Sequence, residues 1–111
     1  MKLKINNRKV FIDKIKVCNE FEKISGLMFI PREKAQALLF NFDENQRIAI
    51  HSFFVFFSFV ALWLDEKNKI LDARIVKPFT PFVFSKKNSS KLVEIPFNKK
   101  YKKIIELLVG N

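Results

Sequence analysis

The longest uncharged segment of the chain covers residues 48–64 and is rich in phenylalanine. Its seventeen residues include His51, Ser52 and Ser58, and they fall short of the roughly twenty apolar residues that a membrane-spanning helix needs. Aromatic and β-branched side chains also suit a pleated strand. A polar run and a second apolar run follow, in the order expected for a hairpin turn and a returning strand. We therefore predict that residues 48–64 form the central strand pair of a mainly β domain, with a membrane span as the less favoured alternative.

The beginning of the chain alternates apolar and polar positions with a period of two. This pattern covers residues 2–18 and predicts a hairpin or two short strands, with a tight turn at Asn6 and Asn7. Asn19 and Glu22 have the spacing of a capping box, which starts a helix. A short helix is therefore predicted to follow Asn19 and to end at Gly26, because glycine readily adopts the left-handed conformation of a helix terminator.

Two further strands are predicted from apolar runs in the middle and late parts of the chain. Residues 37–42 predict a buried strand, and the polar stretch 43–46 predicts a turn after it. Residues 85–91 are predicted to form a solvated loop. Residues 92–95 then predict a short strand that Pro96 closes.

The last part of the chain has the pattern of an amphipathic helix. Asn98 is placed to cap this helix and Gly110 to end it. Its apolar face would carry Tyr101, Ile104, Ile105 and Leu108. Together the elements predict one domain over residues 1–111, mainly β, with a compact antiparallel sandwich or barrel-like fold and one or two short helices, including the C-terminal helix.

Charge and cysteine content change this picture only a little. The net charge of +10 would attract a polyanion. However, seventeen of the 21 basic residues are lysine, and lysine, asparagine, isoleucine and phenylalanine are together abundant, as A/T-rich coding alone would produce. Cys18 has no partner for an internal disulfide, and the N-terminus has no signal-peptide pattern, so we expect a cytoplasmic protein.

Four short motifs, which we call landmarks, occur in a defined order and spacing. They are Gly26-Leu27-Met28-Phe29, Leu38-Leu39-Phe40-Asn41-Phe42, Ile50-His51-Ser52-Phe53-Phe54 with Leu62-Trp63-Leu64-Asp65, and Leu92-Val93-Glu94-Ile95-Pro96. In this order they resemble the landmarks of the domain-of-unknown-function family numbered 192, which consists of small proteins of bacteria and archaea. The resemblance covers about residues 15–111 and implies a compact, mainly antiparallel β fold with short helices, but no established activity.

The chain departs from the family pattern at three places. Ile30 stands where the family usually has arginine, and Val60 stands where it usually has aspartate. The chain ends at Gly110 and Asn111, where relatives tend to continue with another strand. A role that the missing aspartate has in relatives is therefore not expected here.

Three landmark residues are the candidates for a binding site: Met28, His51 and Glu94. We predict that they meet at one rim of the sheet and contact an unknown ligand or protein partner. His51 is the only histidine and could carry a proton or orient a ligand, although a structural role is more common for a lone histidine. Glu94 would either point to solvent or close a polar network. An enzyme that uses His51 with a nearby acid is an alternative, but no catalytic residue is assigned.

Neither a metal nor a cofactor is predicted. Cys18, His51, Asp65 and Glu94 do not have the spacing of a zinc site, and Asp65 is expected to accept hydrogen bonds from its own turn. The two glycines are 84 positions apart, so they form no phosphate-binding loop.

Two surface regions offer alternative partners. The region from Lys86 to Lys103 holds seven lysines against one acid, and it could bind a polyanion or nucleic acid as an alternative function. Its densest part is Lys99, Lys100, Tyr101, Lys102 and Lys103. A solvated loop and the exposed face of a helix explain the same lysines, and we favour that interpretation.

Three phenylalanines follow Pro78 and surround Pro81. The prolines exclude a helix and leave an edge strand or an extended loop. The rings of Phe79, Phe82 and Phe84 would line an apolar groove or a partner surface. Alternatively, they would fold back as a lid over one open end of the sheet. The sequence thus favours a non-enzymatic binding or accessory module, with nucleic acid and a membrane span as less favoured alternatives.

Overall fold

The computed structural model describes residues 1–109, with only the backbone of Glu20, Phe21 and Ile24. The helices in this range are α1 (Glu20–Ser25) and α2 (Lys102–Val109), with 3₁₀ turns at Arg32–Lys34 and Lys99–Tyr101. The strands are β1 (Lys2–Ile5), β2 (Arg8–Phe11), β3 (Lys16–Val17), β4 (Leu38–Gln46), β5 (Ala49–Ile50), β6 (Phe59–Leu64), β7 (Ile70–Val76), β8 (Val83–Phe84) and β9 (Ser89–Pro96). The prediction of a mainly β domain with a C-terminal helix is confirmed.

The described residues are organised around a five-stranded sheet with the order β3-β4-β9-β6-β7. Within it β3 and β4 run parallel, and the other neighbouring strands run antiparallel. The strands β1 and β2 form a separate hairpin, and β5 and β8 form a second two-stranded ribbon. The long strands β4, β6 and β9 therefore lie inside the sheet and carry most of its buried side chains.

Side chains of β6 are buried on both faces of this sheet. Phe59, Ala61 and Trp63 point to the face that we call the first face, where residues of the β5–β8 ribbon and of the 26–30 turn also pack. The indole nitrogen of Trp63 donates a hydrogen bond to the backbone oxygen of Ile48, 2.9 Å away. This bond ties the chain entering β5 to the centre of the sheet.

The alternate residues of β6 point to the second face, which the β1–β2 hairpin and α2 cover. Leu3 and Ile12 contribute from the N-terminal part of the chain, and Ile105 contributes from α2. A strand whose two faces are both covered has no solvent-facing positions for polar side chains. This explains the uninterrupted apolar sequence of β6. The residues of β6 on this face are Val60, Leu62 and Leu64.

Several local predictions are confirmed. Asn6 has a φ of 53° in the turn between β1 and β2. The capping box is present, with Glu22 and Asn19 each accepting a backbone hydrogen bond of 2.9 Å from the other. Gly26 follows α1 with a φ of 50°. The strands β6 and β7 form the predicted hairpin, with Asp65 at the start of its turn.

Residues 48–64 do not form a neighbouring strand pair, so that prediction was wrong. Strand β5 pairs with β8, whereas β6 pairs with β7 and β9. The chain between them is irregular and is held by Ser52, which is buried. The Ser52 hydroxyl donates to the backbone oxygen of Lys77 and accepts from the Thr80 N–H group at 2.7 Å. A polar side chain that bonds a remote loop stabilises a buried segment without a strand ladder.

The predictions for residues 43–46 and 85–91 were also partly wrong. Strand β4 continues to Gln46, which lies opposite Ser89, with an irregularity in the pairing after Asn41. The strand β9 begins at Ser89, whose side chain is buried, and the loop before it is correspondingly shorter. Polar composition predicted a turn at residues 43–46 and a loop at residues 85–91, because irregular strand ends, turns and loops use similar residues.

Asn98 is buried and does not cap the C-terminal helix with its side chain. Its amide nitrogen instead donates to the backbone oxygens of Arg32 and Ala35, at 2.8 Å and 3.0 Å. A 3₁₀ turn precedes α2, and the predicted end of this helix at Gly110 lies outside the described residues. Among residues 1–109, none of the helices has the length and apolar character to cross a membrane.

Candidate functional site

A cavity of about 310 Å³ lies on the first face of the sheet, next to the turn that follows α1. Its volume is within the range of about 300 to 1,000 Å³ that small-molecule sites occupy. Apolar and polar atoms contribute about equally to its wall. Its apolar side chains are Leu27, Met28, Phe40, Phe42, Ile48, Ala49, Ile50, Val55, Phe59 and Leu92. Its polar side chains come from Lys23, Ser25, Gln46, Arg47, His51 and Glu94.

Glu94 is the acidic residue of this cavity, and its side chain is almost completely buried, with 6% exposed. The neighbours Val93 and Ile95 point to the second face, so strand alternation turns Glu94 toward the first face. Within residues 1–109, no side chain or backbone donor pairs with its carboxyl group, and burial raises its pKa to about 8. Near neutral pH the group is therefore mostly protonated and can both donate and accept a hydrogen bond. The structure thus fits neither expectation for Glu94, because the side chain reaches neither solvent nor a polar network.

Gly26 leaves the space that the Glu94 side chain occupies. A Cβ atom on Gly26 would lie 3.3 Å from Oε1 of Glu94 and 3.8 Å from Cζ of Phe40. Gly26 also has a φ of 50°, a conformation that other residues adopt at a cost. This glycine therefore has two roles, since it follows α1 and allows the backbone to approach the buried carboxyl group.

The structure brings Met28, His51 and Glu94 to the same cavity. Met28 is half-buried, whereas His51 is exposed and its Nδ1 accepts a hydrogen bond from the Phe53 N–H group at 3.1 Å. Within the described part of the chain, no hydrogen bond or ion pair joins His51 to a carboxylate. The three residues converge, but the histidine–acid pair that an enzyme would need is not formed, and their role in binding stays a prediction.

Cys18 lies close to this site but has the properties of a structural thiol. It is buried, and its Sγ is 4.0 Å from the backbone oxygen of Lys16. Burial, together with the charges of Glu22 and Glu94, raises the pKa of the thiol to about 11. Because the thiolate is the reactive form, Cys18 is a poor nucleophile at neutral pH.

Over residues 1–109, no three histidine, cysteine or acidic side chains are grouped closely enough to hold a metal ion.

Two cations at the cavity were not predicted from the sequence. The guanidinium group of Arg47 lies 4.7 Å from the ring of Phe84, and its Nε donates to the backbone oxygen of Ser85 at 3.3 Å. The ammonium group of Lys23 lies 4.9 Å from the ring of Phe42. No local motif marks these residues, because their position depends on how β5 pairs with β8 and how β4 extends beyond the sheet.

Tyr101 is a core residue rather than part of a surface patch. Its side chain is buried, and its hydroxyl accepts from the Ala37 N–H group at 2.8 Å and donates to the backbone oxygen of Lys14 at 3.0 Å. It is therefore not available to stack on a nucleic-acid base. The neighbouring Lys99, Lys100, Lys102 and Lys103 are exposed, and their binding of a polyanion stays a prediction.

Asp65 has the structural role that the sequence predicts. Its Oδ1 accepts hydrogen bonds from the N–H groups of Lys67 and Lys69, at 2.8 Å and 2.9 Å. The carboxylate therefore stabilises the turn of the β6–β7 hairpin.

Phe79, Phe82 and Phe84 are all exposed, so they do not fold back as a buried lid.

Comparison with known proteins supports the fold. No family model matches the chain, and no curated protein matches it. A solved structure described as a putative transcription regulator from Sinorhizobium meliloti 1021 is similar, with a TM-score of 0.68 and 16% sequence identity. A second, described as a protein of unknown function from Novosphingobium aromaticivorans, has a TM-score of 0.66 and 10% identity.

Each alignment covers 81% of this chain. The chain spans 72% of the Sinorhizobium protein and 66% of the Novosphingobium protein. At these identities the similarity shows a shared fold and carries no function from one protein to another. The resemblance to the family numbered 192 is not tested by these matches.

Proposed function

We propose that this chain is a non-enzymatic binding module, and that its cavity takes a small molecule with an apolar part and a polar group placed against Glu94. The observation that carries this proposal is the buried Glu94 carboxyl group, which has no partner among the described residues, at the wall of a cavity that also has apolar side chains. A buried polar group that lacks a hydrogen bond usually costs about 1 to 3 kcal/mol. A ligand group that pairs with Glu94 would recover part of this cost, so the site favours such a ligand over a purely apolar one.

The same geometry supports our proposal that the chain is a divergent member of the family numbered 192. Two of the landmarks, the one that begins at Gly26 and the one that contains Glu94, are in direct contact at the cavity. His51 belongs to a third landmark and lines the same cavity. A shared ligand site would explain why these separate parts of the chain have the residues that mark the family.

Probes that share one apolar chain and differ in their polar group test the binding site. Hexylamine, hexanol and hexanoic acid would be titrated into labelled protein while the NMR signals of the Glu94 carboxyl carbon and the Leu92 methyl groups are followed. We expect saturable shifts at both residues for at least one probe. An amine would lower the pKa of Glu94, because a cation favours the ionised carboxylate, whereas a neutral acceptor would not.

The matched variants are Glu94→Leu and Glu106→Leu, since Glu106 is an exposed glutamate on α2. Glu94→Leu should remove the preference among the three probes, and Glu106→Leu should leave it unchanged. If no probe saturates the cavity signals, or if Glu94→Leu keeps the same preference as the unchanged protein, the proposed ligand site is wrong.

Nucleic-acid binding through the exposed lysines is the second candidate function. The observations that favour it are the net charge of +10 and the exposed side chains of Lys99, Lys100, Lys102 and Lys103 on one short segment. An electrophoretic mobility shift with duplex and single-stranded DNA at two salt concentrations is the test. Binding should weaken steeply with salt and with the double change Lys99→Gln and Lys103→Gln, because phosphate contacts release counterions. A shift that neither change weakens would contradict this candidate.

A further inference from the structure

Four phenylalanine rings that touch one another form an exposed apolar surface, which we call the aromatic patch. The ring of Phe54 stacks on Phe29 at a centroid distance of 5.0 Å. The ring of Phe79 meets Phe54 and Phe56 edge to face, at 5.9 Å and 5.3 Å. Each of the four side chains is between 45% and 66% exposed. Contiguous exposed apolar patches commonly mark interaction surfaces, whereas single exposed rings do not.

The backbone holds the aromatic patch in an unusual conformation. Phe29, Phe54 and Phe79 have φ values of 62°, 58° and 58°. Bulky residues rarely adopt positive φ, and such conformations persist where the surrounding structure enforces them, often at functional sites. The Phe29 N–H group donates to the backbone oxygen of Phe54, and the Phe79 N–H group donates to the backbone oxygen of Ser52, both at 2.9 Å. The patch is therefore formed before a partner binds.

The charge next to the aromatic patch is mainly positive. Lys77 is exposed and lies two residues before Phe79, and its backbone oxygen accepts the hydrogen bond of the Ser52 hydroxyl. Arg32 is exposed and lies three residues after Phe29, with one acidic residue, Glu33, beside it. The net charge of the sequence is +10. A second copy of this chain carries the same positive charge, which argues against a symmetric dimer, whereas a partner with a negative surface is complementary.

We infer that the aromatic patch is a docking surface for an anionic lipid bilayer. Aromatic rings insert into the interface of a bilayer, and flanking basic side chains are attracted to anionic headgroups. Single-stranded nucleic acid is the other anionic partner that uses aromatic residues, but it stacks bases on open ring faces. In the patch, the stacked pair and the edge-to-face contacts cover part of the ring faces, so less of each face is open to a base. Such a surface suits acyl chains better than bases. Interfacial docking also needs no membrane-spanning helix.

Vesicle co-sedimentation tests this inference. Purified protein would be mixed with vesicles of phosphatidylcholine alone and with vesicles that also contain phosphatidylglycerol. We expect binding to the anionic vesicles, weaker binding to the neutral ones, and a further decrease at high salt. The double variant Phe29→Ser and Phe56→Ser should bind anionic vesicles at least about tenfold more weakly, because both rings lose their contact with the acyl region. Lys77→Glu should weaken binding to anionic vesicles only.

Phe11→Ser is the matched control, because Phe11 is 66% exposed like Phe29 but belongs to the β1–β2 hairpin over the second face. It should bind vesicles like the unchanged protein. Thermal unfolding of each variant would verify that it is folded. Absence of vesicle binding, equal loss with Phe11→Ser, binding of a single-stranded oligonucleotide that depends on Phe29 and Phe56, or self-association that depends on them would each overturn the inference.

Discussion

Replacing Glu94 with glutamine is expected to change how the stability of the protein depends on pH. Glutamine keeps the shape of the carboxyl group but cannot ionise. In the folded protein burial raises the pKa of Glu94 from its ordinary value of 4.5 to about 8. The folded state therefore binds the proton more tightly than the unfolded chain. The stability that this proton contributes is complete below about pH 4.5 and is lost progressively as the pH rises toward about 8.

The size of this effect follows from the two pKa values of Glu94. Each pH unit between them corresponds to about 1.4 kcal/mol, so the free energy of unfolding should fall by roughly 5 kcal/mol across the whole window. Domains of this kind have a total stability of about 5 to 15 kcal/mol, so the loss is a large fraction of it. In Glu94→Gln this loss is absent, and the variant should be more stable than the unchanged protein above about pH 7.

Urea unfolding between about pH 5 and about pH 8.5 measures the effect, with the fluorescence of the buried Trp63 as the signal. Cys18 does not disturb the comparison, because its pKa rises from 9.0 to about 11 and its contribution changes only above this window. Glu106→Gln, at an exposed position, should follow the profile of the unchanged protein. Parallel profiles for Glu94→Gln and the unchanged protein would refute the reasoning, as would a less stable Glu94→Gln at about pH 8.

Three other substitutions test local parts of the fold. Tyr101→Phe removes the acceptor of the buried Ala37 N–H group and should lower the stability in urea by about 1 to 3 kcal/mol; an unchanged midpoint would contradict this role. Gly26→Ala combines a positive φ with a Cβ atom 3.3 Å from Oε1 of Glu94, so the melting temperature should fall, with a loss of about 1 kcal/mol or more. Asn19→Ala removes the helix cap and should cost about 1 kcal/mol, with faster amide hydrogen exchange in α1; unchanged exchange would count against the capping box.

Features that depend on a few adjacent residues could be predicted from the sequence. The capping box needs only Asn19 and Glu22 at the right spacing, and the turn of the β1–β2 hairpin needs a residue such as Asn6 that tolerates positive φ. The hairpin turn after β6 likewise depends on Asp65, whose carboxylate accepts from backbone groups within four residues. In each case the stabilising contacts are local, so the sequence pattern contains their cause.

The conformation of residues 51–58 could not be predicted because its cause is remote in the sequence. The Ser52 hydroxyl donates a hydrogen bond to the backbone oxygen of Lys77 and accepts one from the Thr80 N–H group, and both partners are 25 or more residues away. A mainly apolar run with two serines has the composition of a strand, and only the position of the 77–80 loop decides otherwise. The irregular continuation of β4 to Gln46 depends in the same way on the strand beside it.

The residues of the candidate site could be predicted from the sequence, but the environment of Glu94 could not. The resemblance to a family brought Met28, His51 and Glu94 together as candidates, and all three line one cavity. The state of Glu94 could not be inferred, because a strand position with alternating burial does not reveal whether a neighbouring element supplies a partner for the carboxyl group. Here the residue that approaches the carboxyl group is Gly26, which has no side chain, and none of the polar side chains described around the cavity is bonded to Glu94.

The cavity and the aromatic patch adjoin because consecutive residues belong to both. Met28 lines the cavity and Phe29 is part of the patch, and Val55 lines the cavity between Phe54 and Phe56. A bilayer that covers the patch would therefore lie beside the cavity. Small molecules with an apolar chain and one polar group concentrate at a bilayer interface, and molecules of this kind fit a cavity that combines apolar side chains with the buried Glu94 carboxyl group. If both proposals are correct, anionic vesicles should increase the occupancy of the cavity by hexanol in the unchanged protein, and Phe29→Ser with Phe56→Ser should remove the increase but not the binding itself.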